Sequence, residues 1–239
     1  MSHTAGARQL QRLKTRRALL DAALTLLEEQ SLGSLGLREV TRAAGVAPTA
    51  FYRHFHDIED LGIALVDEAL ENLHATVRST LATSGDAEQR IATAVELMAA
   101  LVRAYPAHVR FIVRERHGGV RRVRDAVSGQ LDAFAGEVAE SLGADPLGAG
   151  WSRDDLLMLA RLYVDHMVMT ASAFLAAAME DSEWDAVTGT ALRQLRLIHA
   201  GRVHWVPAGA GAASEDVRGP GRAGAEGPRP DGGQAGATR

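Results

Sequence analysis

The sequence predicts an all-α fold of about nine helices, on three observations. Apolar residues recur at steps of three and four, as Leu13, Leu20, Leu24 and Leu27 do with Ala23. No stretch sustains a two-residue alternation, and no hairpin turn joins β-branched runs. Glycine and proline punctuate the periodic segments at Gly33, Gly36, Gly45, Pro106, Gly118-Gly119 and Pro146.

Taken in order, the first helix spans about 10–30. Two short helices follow at about 38–44 and 49–55, on either side of Gly45. Asp57 is an N-cap for a helix from 58 to about 82, with Asp60 placed near its positive end. Thr83-Ser84-Gly85-Asp86 reads as a loop. Helices at about 87–104 and 107–117 are divided by Pro106, and another covers about 120–142. Ser152, with Asp155 three residues on, has the pattern of a capping box opening a long helix to about 180. A last helix covers about 184–204. Residues 207–239 hold nine Gly, eight Ala and four Pro, with Val217 their only large aliphatic residue. Such a composition cannot bury enough apolar surface to offset its ordering entropy, so a disordered tail is predicted.

Composition narrows the functional classes. The absence of cysteine excludes disulfide scaffolds, cysteine-based zinc and iron–sulfur sites and a thiol nucleophile. With 26 basic and 30 acidic residues the net charge is −4, so any nucleic-acid contact must come from a local patch. The N-terminus is polar and basic without an apolar core, unlike a secretory signal. The apolar run 156–179 is long enough to span a bilayer, but Arg161, Asp165 and His166 lie in its middle. A soluble cytoplasmic protein without a membrane partner is expected. There is no glycine-rich phosphate loop, nucleophile elbow or HExxH motif, and His54 and His56 are badly spaced for chelation on a helix. Neither an enzyme nor a bound metal or cofactor is predicted.

The informative stretch is 37–55. Gly45 lies where one helix must stop and the chain turn sharply, and Pro48 suits the first turn of the next helix. Val40, Ala44, Val46, Phe51 and Phe55 can point inward onto Leu20, Leu24 and Leu27. Thr49, Ala50, Tyr52, Arg53 and His54 then point outward. Short polar groups and a methyl followed by larger donors suit a helix end meeting base edges in a major groove. Arg38 is placed to grip the DNA backbone. Upstream, Arg8, Arg12, Lys14, Arg16 and Arg17 carry five positive charges with no acid among them, a run able to neutralise phosphates. The predicted DNA contacts are Lys14, Arg16, Arg38, Thr49, Ala50, Tyr52, Arg53 and His54. A rival reading is a helical interaction module without DNA binding.

This arrangement resembles the DNA-binding domain of the tetracycline-repressor (TetR) family. The resemblance lies in Thr15-Arg16-Arg17, Ala22-Ala23, Leu37-Arg38-Glu39-Val40, Ala44-Gly45-Val46, Phe51-Tyr52-Arg53-His54-Phe55 and Asp60-Leu61. It implies a dimeric regulator whose larger helical domain binds a small molecule that alters affinity for a palindromic double-stranded operator. Within the family the chain looks most similar to the repressors of unsaturated fatty acid synthesis (FabR/DesT type). Ala47-Pro48-Thr49, Asp67-Glu68 and Arg114-Glu115-Arg116 followed by glycine carry that closer likeness. It implies a long-chain acyl-CoA effector and control of fatty acid desaturation or synthesis genes. The alternative within the family is a drug-like or other lipophilic effector and control of an efflux pump. The domains expected are 1–60 for DNA, 61–206 for effector and dimer, and the tail 207–239.

In the second domain the long helix is apolar on more than one face: Leu156, Leu159, Ala160, Tyr163, Met167, Ala171 and Phe174 on one, Leu157, Val164, Val168 and Leu175 on another. Such a helix is buried on several sides, so a homodimer through the two C-terminal helices is expected. The last helix offers Ala191, Leu192, Leu195, Ile198 and Val203 to that interface. Phe111, Phe134, Tyr163, Met167, Met169 and Phe174 are candidates to line an effector cavity, with His166 and Thr170 as polar groups. These residue types at helical spacing also suit plain core. Residues 103–124 contain seven arginines against Glu115 alone. They read either as a solvated face joining the domains or, through Arg114 and Arg116, as a site for the phosphates of an acyl-CoA.

Overall fold

The computed structural model describes residues 2–81, 86–177 and 181–205. The segment 207–239, part of the loop after residue 82, and the expected end of the long helix at 178–180 lie outside the described residues. The described chain is all-helical. In order, its helices are α1 (Ser2–Leu26), α2 (Leu37–Ala43), α3 (Pro48–Phe51), α4 (Ile58–Leu81), α5 (Ala87–Ala104), α6 (Pro106–Glu115), α7 (Arg121–Ala144), α8 (Arg153–Ala176) and α9 (Asp181–Val203). Two 3-10 turns, Leu32–Ser34 and Pro146–Gly148, fill connections that the sequence reading left as loop.

The caps explain where several helices start. Asp57 Oδ1 accepts the Asp60 amide at 2.7 Å, and Asp86 Oδ1 accepts that of Gln89 at 2.9 Å. Ser152 Oγ accepts the Asp155 amide at 3.1 Å, as the capping pattern predicts. α1 begins earlier than expected, at Ser2. Its first half carries no buried stripe to locate its start, because residues 6–14 are all exposed. α3 is shorter than expected, but the winding continues as turns: the amides of His54 and Phe55 both reach Phe51 O, at 2.8 and 3.0 Å.

One hydrophobic core runs from α1 to α7, joining Leu20, Val40, Phe51 and Phe55 to Leu61, Leu65, Val123 and Phe134. A second cluster joins α5, α8 and α9 around Val95, Phe174, Trp184 and Leu195. Residues up to Trp205 form a single unit. α7 lies along α8 and α4, while α5 packs on α4, α8 and α9. The helix with the widest reach is α6, which touches α1, α4, α5, α7 and α8. No helix among the described residues is long and apolar enough to cross a membrane.

The tightest approach between the N-terminal helices and the rest is at Gly62 on α4. A Cβ there would stand 2.6 Å from Leu32 Cδ2 and 2.8 Å from Val123 Cγ2. Both neighbours are fully buried and cannot retreat. Gly62→Ala is therefore expected to lower unfolding stability by about 1–3 kcal/mol through overpacking. Gly129→Ala, on an open face of α7 with nothing within 4 Å, should raise it by roughly 0.5–1 kcal/mol. Urea denaturation of the two variants beside the parent checks both signs.

Candidate nucleic-acid interface and ligand cavity

The reading head is built by α1, α2 and α3. Gly45 takes φ +66°, the left-handed geometry that lets the chain turn between α2 and α3. Val40, Phe51 and Phe55 are buried on Leu20, Leu24 and Leu27, with Ala44 and Val46 partly buried against them. That inward set turns Thr49, Tyr52 and Arg53 outward; Tyr52 is 63% exposed. Ala50 and His54 are half-buried beside them, while Lys14, Arg16 and Arg38 are exposed. The Arg16 guanidinium lies over the Phe55 ring, 5.5 Å from its centroid. Burial, then the charges of Arg12, Arg16 and Arg53, holds the His54 ring below its ordinary pKa. The basic run of α1 and the outward side of α3 thus share one positive field. Arg17 is drawn elsewhere, bound to Asp21 at 2.8 Å and Glu68 at 2.6 Å.

The arginine cluster of 103–124 is committed to structure. Arg114 donates Nη1 to Leu27 O and Gln30 O at 2.7 and 2.8 Å, and Nη2 to Glu28 O at 3.4 Å, closing the C-terminal end of α1. Arg116 pairs with Asp165 of α8, and Arg122 with Asp57 and Glu59. Arg124 donates to Gly118 O, and Arg103 lies over the Trp184 ring. Glu115, buried at 2% exposure, accepts the Leu32 amide at 3.3 Å. Its carboxylate folds back over Gly118, where a Cβ would meet Oε2 at 2.1 Å. The structure thus uses Arg114-Glu115-Arg116 and the glycine as a joint between helices. Their partners come from distant parts of the chain, which local charge density could not reveal.

A cavity of about 430 Å³ lies between α5, α7, α8 and α9. Of the predicted ligand residues, Phe134, Tyr163 and Met167 line it. The others stand apart for identifiable reasons. Phe111 is sealed in the α1–α7 core, Phe174 stacks on Trp184 at 4.6 Å, and Met169 faces outward at 68% exposure. His166 is buried against Thr170 Oγ1 at 3.4 Å and the backbone of Ala191, tying α8 to α9; burial lowers its pKa. The two arginines proposed for phosphates, Arg114 and Arg116, are bound as described above.

The sequence reading missed the polar end of this cavity, formed by Arg90, Asp145, His199 and Arg202 beside Tyr163. One signal was available. Arg202 extends the buried stripe Trp184, Ala191, Leu195 by a further step of seven, so it had to face inward. Burial pushes the Tyr163 hydroxyl up, partly offset by Arg202 and Arg90. Burial and the same two guanidiniums push the His199 ring down. Both groups are therefore neutral near pH 7. No cluster of potential metal ligands occurs among the described residues.

Residues 19–65 match the sequence model of the bacterial regulatory proteins, tetR family. The fold is also that of solved regulators. The fatty acid degradation regulator FadR from Bacillus halodurans aligns with TM-score 0.60 at 16% identity, over 80% of this chain and 96% of its own. FadR from Bacillus subtilis in complex with stearoyl-CoA aligns with TM-score 0.59 at 15% identity, over 75% and 96%. AibR in complex with isovaleryl coenzyme A and operator DNA aligns with TM-score 0.57 at 16% identity, over 74% and 97%.

The α6 joint can be tested directly. Arg114→Ala leaves the last carbonyls of α1 to water and should cost about 1–2 kcal/mol of unfolding stability. Arg114→Lys should recover only part, because one ammonium cannot reproduce a fork that spans three carbonyls. Thermal unfolding of both variants measures the difference.

Proposed function

We propose that this chain, a transcriptional regulator of the TetR type, is a homodimer that binds a palindromic operator and changes its grip when an acyl-chain effector fills the α5–α9 cavity. One observation carries the reading. The exposed basic head and the apolar cavity are joined through a single element, α6, which holds the end of α1 and the Leu32 amide. Its inner face closes a smaller void of about 40 Å³, and Met98, Leu131 and Val168 line both that void and the large cavity. An occupant pressing on this shared wall displaces the floor on which α6 rests. Because a ligand shifts an equilibrium only by its differential affinity, the effector must favour one setting of α6 over the other.

The dimer is assigned to α8 and α9. The monomer turns Ala191 and Leu195 into its own core, so these are not the interface residues. Met158, Leu162 and Met169 of α8 and Leu197 of α9 instead stand exposed, an apolar surface for a four-helix contact between two copies. Resemblance to the FabR/DesT type points to genes of fatty acid desaturation or synthesis as targets. The acyl-CoA ligands of the FadR and AibR structures make long-chain acyl-CoA the first effector to try.

A gel-shift assay on the protein's own upstream region tests the reading. Sequence-specific binding that weakens steeply with salt is expected. Tyr52→Ala and Arg53→Ala should each weaken it by about tenfold or more. Absence of specific binding by the parent protein would end the proposal. The Met169→Glu/Leu197→Glu double variant should elute as a monomer on size exclusion and lose operator binding, since two half-sites must be engaged together.

A further inference from the structure

We infer that the polar end of the large cavity is a receptor for a carboxylate, so that the effector is a lipophilic monocarboxylic acid in its free form, its chain among the apolar side chains and its head on Arg202. The inference rests on the cavity being the effector site, and adds which chemical class fills it.

Arg202 is the centre of the argument. It is 5% exposed and lines the cavity. Its Nη2 donates to Leu142 O at 3.0 Å and lies 3.6 Å from Asp145 Oδ1. Its buried Nε–H has no hydrogen-bond partner. A guanidinium with one edge bound and a buried donor left over offers charge-assisted bonding to a planar anion. Buried donors without partners are rare, and an acceptor that completes the set is favoured.

The surroundings select the charge. Arg90 approaches Asp145 Oδ2 at 3.2 Å, so two guanidiniums flank one carboxylate and one positive charge is left over. Glu88, on the same turn of α5, is held by both Nε and Nη2 of Arg196. Tyr163 supplies a neutral hydroxyl donor, and His199 adds no charge near pH 7. The rest of the lining is mainly hydrocarbon, including Ile91, Phe134 and Met167. One positive charge beside a hydrocarbon chamber matches a single carboxylate. The several phosphates of a coenzyme A thioester need a larger basic surface, and the 103–124 arginines that might have supplied it are bound to acids, carbonyls and an aromatic ring.

Isothermal titration of the full chain with dodecanoate, dodecanol, dodecylamine and dodecanoyl-CoA tests the assignment. Dodecanoate should bind at least about tenfold more tightly than dodecanol, the usual worth of a charged hydrogen bond. Dodecylamine should bind more weakly still, and dodecanoyl-CoA no more tightly than the free acid. Arg202→Gln should close the gap between acid and alcohol while leaving dodecanol affinity in place. Because Arg202 also holds the end of α7, Tyr163→Phe serves as a second variant and should narrow the same gap severalfold; it decides the matter if Arg202→Gln does not fold. Equal affinity for acid and alcohol, or a gap unchanged in the folded variants, overturns the inference. Tighter binding of the thioester also overturns it but leaves the acyl-effector reading standing. Failure of the whole series to bind removes that reading and this one together.

Discussion

The arrangement depends on the last turn of α6. A helix leaves its final carbonyls without intrahelical partners, and those at the end of α1 are taken up by Arg114 from a segment more than eighty residues away. One residue later Glu115 takes the Leu32 amide, and one further Arg116 reaches Asp165 on α8. Three consecutive side chains therefore bind the DNA-reading helices to the helices around the cavity. The guanidinium suits this task because its planar fork meets several carbonyls at once. Whatever moves α6 moves the end of α1, and the buried contacts of Leu20, Phe51 and Phe55 carry α2 and α3 with it.

The cavity lies where that joint is most sensitive. Met98, Leu131 and Val168 separate it from the smaller void beneath α6. Close-packed interiors transmit displacement, whereas a void permits it. The wall has room to yield on the α6 side, and the other end of the cavity is pinned by Arg202 and Asp145 to the last turn of α7. An occupant fixed at the polar end thus directs its bulk toward α6.

Much of this was legible in the sequence, for reasons that differ by element. The helices of the second half announced themselves through period and caps, as with Ser152 and Asp155. The turn at Gly45 and the inward set around Phe51 followed from spacing alone, because a short helix has few ways to bury two phenylalanines. The faces of α8 and α9 were not legible. A helix apolar nearly all round does not reveal which side meets its own chain, and only packing separated inward Leu195 from outward Leu197. The arginine cluster misled for a related reason: its partners Glu28, Asp57, Glu59 and Asp165 are remote in sequence. Arg202 escaped notice because a charged residue near a helix end ordinarily reads as solvated, although its register placed it on the buried stripe.

The geometry of α1 gives a small shift a large result. Its 25 residues make a rod of about 37 Å at 1.5 Å per residue. Arg114 holds one end, and the basic run lies toward the other. A rotation of about 5° at the held end displaces the far tip by about 3 Å, a sizeable error against half-sites roughly 34 Å apart. In a dimer the two rods turn in opposite senses about the symmetry axis, so the mismatch doubles. A sub-ångström change at α6 is therefore enough to take two reading heads out of register with successive grooves, without breaking any contact inside either head.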